Sequence, residues 1–136
     1  MNISKFRAWL VIEKEMVEVD SIDFVNEVFA FREDSFQYDH ELKNAILMQS
    51  TGLTDKNGVE IFCDDILDFT KFDHNDHDAQ YKGVVKFSSG EWQIWASPES
   101  EFFGSNGAFH LFHTDHQDDE MLVIGNIHQH KELLNV

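Results

Sequence analysis

Cysteine and proline each occur once in these 136 residues, as Cys63 and Pro98, and Lys and Arg together number ten against 26 Asp and Glu. A lone thiol excludes an internal disulfide and suits a reducing compartment. The shortage of cations, with a formal charge of −16, argues against direct binding to nucleic acid, because Lys and Arg must displace the counterions of its backbone. Anionic membrane surfaces are disfavoured on the same ground. The charge leaves room for a solvating surface, for a basic protein partner and for imitation of a nucleic acid. No apolar run approaches the ~20 residues of a membrane span. The stretch Met1-Asn2-Ile3-Ser4-Lys5-Phe6-Arg7 has no long apolar run behind its charges, so no signal peptide is expected.

Bulky rings are plentiful: 13 Phe and three Trp within a hydrophobic fraction of 42%. Such residues favour strands, and they recur along the whole chain, which argues against disorder. A chain of about this length buries roughly two thirds of its unfolded surface, so a core needs no staples.

Strand signals follow one another with turns between them. Phe6 to Ile12 places Phe6, Ala8, Leu10 and Ile12 on one face and Trp9 and Val11 on the other. After the polar turn Glu13-Lys14-Glu15, Met16 to Val19 completes a hairpin. Asp23 to Phe31 fits a helix or a strand; its Phe and Val content favours strand, and the choice stays open. Arg32 to Ser35 turns the chain, Phe36 to Tyr38 alternates, and Asp39 is placed to cap a helical turn through Leu42. Ala45 to Met48, Val59 to Phe62 and Ile66 to Phe69 read as strands. Asn57-Gly58 is the clearest turn, since both residues tolerate the positive φ of tight hairpins. Asp73 to Gln80 is polar and reads as a surface loop. Lys82 to Phe87 and Glu91 to Trp95 flank Ser88-Ser89-Gly90 as a second hairpin. Pro98 to Gly107 is a long loop, Ala108 to Phe112 a strand, Thr114 to Glu120 an acidic turn, Met121 to Ile127 a buried strand, and Lys131 to Val136 a helical turn or tail. The expectation is a mainly β chain with at most short helical turns. An N-terminal hairpin region spans 1–50, and a small barrel spans 51–136.

The chemistry-bearing residues have plainer readings. His74 with His77, then His110, His113 and His116, then His128 with His130, invite a metal hypothesis. Alternation along a strand separates His110 from His113, ordering the loop around His74 costs entropy, and neither HExxH nor paired-cysteine spacing occurs. No metal and no cofactor is expected. Cys63 is flanked by Asp64 and Asp65, and acids suppress the thiolate; no serine elbow and no phosphate-cradling glycine loop exists. Asp64-Asp65 and Asp118-Asp119 read as solvated loop acids rather than an acid–base pair. Trp92, Trp95, Phe102 and Phe103 lack the interleaved cations of a base-stacking platform and read as core or subunit contact.

Five separated blocks carry a family likeness. They are Lys5-Phe6-Arg7-Ala8-Trp9; Met48-Gln49 with Thr51-Gly52-Leu53; Asp55-Lys56-Asn57-Gly58 with Glu60-Ile61; Asp65-Ile66; and Val123-Ile124-Gly125-Asn126-Ile127 with Leu133-Leu134. In this order they resemble the YopX family of phage and prophage proteins. The resemblance implies a β-rich chain with an SH3-like barrel in its C-terminal part, a tendency to assemble, and residence in the cytoplasm of a bacterial host. It carries over no catalytic, cofactor or metal residue. Its signature positions here, Thr51, Gly52, Leu53, Asp55, Asn57, Gly58, Ile61, Asp65, Gly125 and Asn126, read as structural. The glycines suit positive φ or close strand approach, and Asp65 suits bonding to amides of its own bend. Where the family usually has an aromatic this chain has Ser50, and where it has a glycine this chain has Asp64, a residue type that also tolerates left-handed backbone. His128-Gln129-His130-Lys131 stands in place of a Tyr-Glu-Asn-Pro-like run.

The functional expectation is a phage accessory protein without enzymatic activity. It would assemble with itself, a homo-oligomer, and dock on a host or phage protein. The alternative is an acidic nucleic-acid mimic that blocks a host DNA-binding enzyme. A metal-dependent hydrolase stands behind both.

Overall fold

The computed structural model describes residues 5–72, 78–88, 90–95, 109–110 and 121–134. Among these residues the protein is mainly β, with eleven strands and two short 3-10 helices. It divides into two compact units, Met1–Ser50 and Thr51–Val136.

In the first unit, β1 (Phe6–Leu10), β2 (Glu15–Asp23), β3 (Val28–Glu33), β4 (Phe36–Glu41) and the first half of β5 (Ala45–Thr54) form one antiparallel sheet in the order β4-β3-β2-β1-β5. Ala8, Leu10, Val17, Phe29 and Phe31 form its buried core. The strand expected to run to Ile12 stops at Leu10. Val11 and Ile12 lie exposed in a turn that closes where the Lys14 amide bonds Leu10 O at 2.7 Å, with Lys14 at φ 60°. The strand expected at Met16–Val19 runs on to Asp23, past a register shift between Val19 and Ser21.

The open choice over Asp23–Phe31 resolves into both a turn and a strand. Asp23 Oδ1 accepts the amides of Val25 and Asn26 at 3.0 and 3.1 Å, which bends the chain before β3. Asp39 caps nothing. It lies in β4 opposite Ala30, and the helical turn comes later, at Leu42–Asn44, where the Leu42 amide bonds Glu27 O at 2.9 Å. The ladder to β3 outcompetes a local cap because it satisfies more backbone groups.

In the second unit, β6 (Glu60–Phe62) lies beside the second half of β5, and five further strands run antiparallel. These are β7 (Asp65–Phe72), β8 (Asp78–Ser88), β9 (Glu91–Trp95), β10 (Phe109–His110) and β11 (Met121–Asn126), in the order β10-β9-β8-β7-β11. This order is compatible with an SH3-like barrel; no closing pair occurs among the described residues. Ile61, Leu67, Phe69, Val85, Ile94 and Met121 form the core. Ile66 and Val84, each beside a core residue in sequence, are also fully buried, so β7 and β8 are covered on both faces there. Of the loop expected over Asp73–Gln80, Asp78 to Gln80 lie in β8, where Asp78 pairs with Phe72, and residues 73–77 lie outside the described residues. Beyond β11 a 3-10 helix covers Lys131–Leu134. The expected loop Pro98–Gly107 and acidic turn Thr114–Glu120 lie outside the described residues.

Candidate functional site

The turn after β5 is organised by one carboxylate. Asp55 is 3% exposed. Its Oδ1 accepts the amides of Asn57 and Val59 at 2.8 and 2.9 Å, and its Oδ2 accepts the amide of Val123, on β11, at 2.9 Å. Burial alone would raise this carboxyl, but the amides of Val123, Val59 and Asn57 outweigh it and hold the group below the usual carboxylate range. Of Asn57 and Gly58, only Gly58 takes positive φ, at 80°. The hairpin is therefore not the two-residue type. The Gly58 amide bonds Asp55 O and the Asp55 amide bonds Val59 O, which is a three-residue loop ending in a left-handed glycine.

Neighbouring signature residues lock the same corner. The Thr51 hydroxyl donates to Ile61 O at 2.8 Å and accepts from the Leu53 amide at 3.1 Å. Ile61 is fully buried and Leu53 packs against the core. Gly52 has φ 82° with open space where a Cβ would stand, so backbone conformation alone selects glycine.

The bend between β6 and β7 holds a buried charge cluster that local sequence did not reveal. Asp65 Oδ2 accepts the Phe62 amide at 2.8 Å, so the bend closes on its own amide as expected. Asp64 stands at φ 70°. Its carboxylate receives Lys86 Nζ at 2.7 Å and His128 Nε2 at 2.9 Å. Burial pushes this carboxyl up, and the bonds from His128 and Lys86 more than reverse it, leaving it below the usual range. A left-handed non-glycine residue costs about 1–2 kcal/mol. Two charge-assisted bonds contribute about 1.5–3 kcal/mol each, so aspartate prevails at a position that glycine would fill without strain. Cys63, half-buried, lies with its thiol 3.7 Å from Asp64 Oδ1.

Asn126 builds the chain's last described turn. Its Oδ1 accepts the amides of His128 and Gln129 at 3.0 Å each, and its Nδ2 donates to Gln129 Oε1 at 2.8 Å. The Asn126 amide in turn donates to His130 Nδ1 at 3.2 Å. That brings the imidazole over Gly125, where a Cβ would lie 2.6 Å from Nδ1 and 2.9 Å from the His130 Cβ. Gly125 is thus required by close approach of a side chain, not of a strand.

These ten signature residues lie at the end of β5 and its turn, on β6, at the bend into β7 and at the end of β11. Asp55 faces backbone amides, and Asp64 is paired with Lys86 and hydrogen-bonded to His128. Among the described residues, no group of three or more His, Cys, Asp and Glu is placed to hold a metal ion. His74, His77, His113 and His116 lie outside the described residues, and of His110 only the backbone is described. Asp118 and Asp119, Phe102 and Phe103 lie outside them too; Trp92 packs against the core, and Trp95 Nε1 donates to Gln93 Oε1 at 2.8 Å. No helix among them is long and apolar enough to cross a membrane.

The carboxylates of Asp55 and Asp64 are thus engaged, while apolar surface is exposed. In the first unit Ile12, Phe24, Val25, Phe36, Tyr38 and Ile46 are exposed, Val25 to 91% and Phe36 to 67%. Phe36 and Tyr38 lie on β4, at the outer end of the sheet. Tyr38 stacks on Phe31 with ring centroids 5.5 Å apart, so a buried ring row continues outward into water.

The family model described as YopX protein matches residues 5–135. The crystal structure of protein EF1440 from Enterococcus faecalis is 31% identical to the chain, with a TM-score of 0.63 over 98% of this chain and 99% of that one. The X-ray structure of protein yopX from Bacillus subtilis has a TM-score of 0.65 over 98% of each chain at 18% identity, a likeness of fold. No curated protein matches the chain.

Proposed function

The chain belongs to the YopX protein family, and from that premise we propose that it is a protein-interaction module that assembles with itself and performs no catalysis. It serves as a phage or prophage accessory protein in the cytoplasm of a bacterial host, docking on a host or phage protein. The observation that carries the reading is the contrast between the two units. Among the described residues, most exposed large apolar side chains lie in the first unit, with Val59 and Phe87 in the second, whereas the carboxylates of Asp55 and Asp64 are spent on backbone amides and a buried ion pair. A contiguous exposed apolar patch marks interaction surface, and Tyr38, stacked on Phe31, carries a buried ring row out to β4. Light scattering across the micromolar range tests it: the expected mass is a multiple of 15.9 kDa, and a strict monomer overturns the assembly reading.

A second reading, imitation of a nucleic acid, draws on Glu15, Glu18, Asp20 and Asp23, all exposed along β2, within a net charge of −16. Arg32 pairs with Asp20 at 2.9 Å and interrupts that row. Capture of a basic DNA-binding enzyme, released by salt, is its expected result. Capture that persists in high salt, or no capture, counts against it.

A further inference from the structure

We propose that Asn57 is a site of self-modification gated by Asp55: Asn57 persists while its turn is closed, and when the turn opens the Gly58 amide cyclises onto the Asn57 side chain, leaving an isoaspartate from which the turn cannot be rebuilt. This inference stands apart from the assembly reading.

The two reacting groups are neighbours in the chain, and water reaches both. Asn57 and Gly58 are exposed. Among the described residues the Asn57 amide is hydrogen-bonded and its side chain is not. Apart from its chain neighbours, no atom lies within 4 Å of where a Gly58 Cβ would stand, so nothing shields the attacking nitrogen. The reaction needs only water and hydroxide. Gly58 N gives its proton to hydroxide and bonds to Asn57 Cγ. The Cγ–Nδ2 bond breaks, and ammonia leaves with a proton taken from water, which returns the hydroxide. The product is a five-membered succinimide. Water then opens the ring at one of two carbonyls. Opening at Cγ leaves aspartate. Opening at the main-chain carbonyl leaves isoaspartate, whose main chain runs through Cγ.

The closed turn withholds the attacking nitrogen. The Gly58 amide donates to Asp55 O at 3.0 Å, and the Asn57 amide donates to Asp55 Oδ1 at 2.8 Å. Ring closure requires rotation about the Asn57 Cα–C bond, which swings the Gly58 N–H off Asp55 O. The attacking species is an amide anion. The Asp55 carboxylate, which bonds the amides of Asn57 and Val59 on either side, disfavours a second negative charge there. Asp55 is itself held by the Val123 amide at 2.9 Å.

Isoaspartate places one extra carbon in the main chain between Asn57 Cα and Gly58 N. That carbon falls between the Asn57 and Val59 amides, which share a single oxygen, Asp55 Oδ1. It also lengthens a three-residue loop closed at both ends by Asp55 and Val59. The two donors no longer reach that oxygen together. The same turn covers the outer side of β11, where the Lys56 amide donates to Met121 O at 3.0 Å and Asp55 Oδ2 accepts from Val123. The modification therefore loosens β11, at the end of its sheet.

Peptide mapping by mass spectrometry, after incubation of the full chain at neutral pH, reads the reaction and separates Asn57 from the chain's other Asn-Gly pair, Asn106-Gly107. In the folded chain conversion at 57 is slow, and in urea it is fast. Asp55→Asn accelerates it under folding conditions by about tenfold or more, the shift in a local opening equilibrium on losing a bond to a charged acceptor. Thr51→Val removes the hydroxyl that bonds Ile61 O and leaves the turn's own bonds in place, so its rate stays near wild type. Equal acceleration by both variants, or equal rates in folded and unfolded chains, overturns the gate. The isoaspartate form, separated by chromatography, melts below wild type, whereas Asn57→Asp melts with it. An isoaspartate form as stable as Asn57→Asp overturns the loss of the turn. If Asp55→Asn fails to fold, wild type decides by hydrogen exchange. One opening frees the Gly58 amide for both reactions, so folding slows its exchange and the conversion of Asn57 by the same factor, and unequal factors overturn the proposal.

Discussion

Three backbone amides aim at the Asp55 carboxylate, and an amide side chain cannot replace it. Asp55→Asn puts an NH2 group against N–H donors. It should cost about 2–3 kcal/mol, within the range for hydrogen bonds to a charged group, read as a lower urea midpoint at constant slope. The same residue fixes a pH dependence. The Asp55 and Asp64 carboxyls titrate in the folded chain below their unfolded value of 3.8. Their contribution to stability is therefore full above that value and is lost as pH falls from it through the folded value. Wild type should lose more stability on acidification below pH 3.8 than Asp55→Asn or Asp64→Asn does. Parallel pH curves for the three would contradict the assignment. At the terminal turn, Gly125→Ala drives a methyl into the His130 ring and should cost about 1–3 kcal/mol, the range for overpacking. Combining it with His130→Ala should recover part of that loss, so a double-mutant cycle returns a favourable coupling.

For single elements, the β3–β4 hairpin sets two left-handed non-glycine residues, Asp34 and Ser35, side by side. Ser35 holds φ 75° without being glycine. Ser35→Gly should stabilise the first unit by about 1 kcal/mol, the cost of a left-handed non-glycine residue, seen as a raised melting temperature. Strand character was legible wherever apolar residues alternate, as in Phe6–Leu10 and Glu91–Trp95, because period two is a local signal. Strand ends were less so. Leu10 gives way to a turn though Val11 and Ile12 keep the pattern, and Asp39 lies in a ladder where a cap was expected. Both outcomes depend on neighbouring strands. The turn and bend residues Gly58 and Asp65 were legible because glycine conformation and a short-range side-chain bond are local facts. The partners of Asp64 were not, since Lys86 lies 22 residues away and His128 64 away.

For the molecule as a whole, the imbalance of ten cations against 26 acids acts as self-repulsion in the compact state. Raising salt from 0.01 M to 1 M shortens the screening length from about 30 Å to about 3 Å. The melting temperature should rise by several degrees, equivalent to about 1 kcal/mol in a chain of this size. A flat response would mean that the acids are already neutralised in pairs.

The bond from the Val123 amide to Asp55 joins residues 68 positions apart. During translation at about 5–20 residues per second, that carboxylate waits several seconds for its last donor to emerge from the ribosome. β7 meanwhile lacks its β11 neighbour. The second unit thus reaches its native state late, and its nascent strands stay open to chaperones, proteases and one another until β11 has been made.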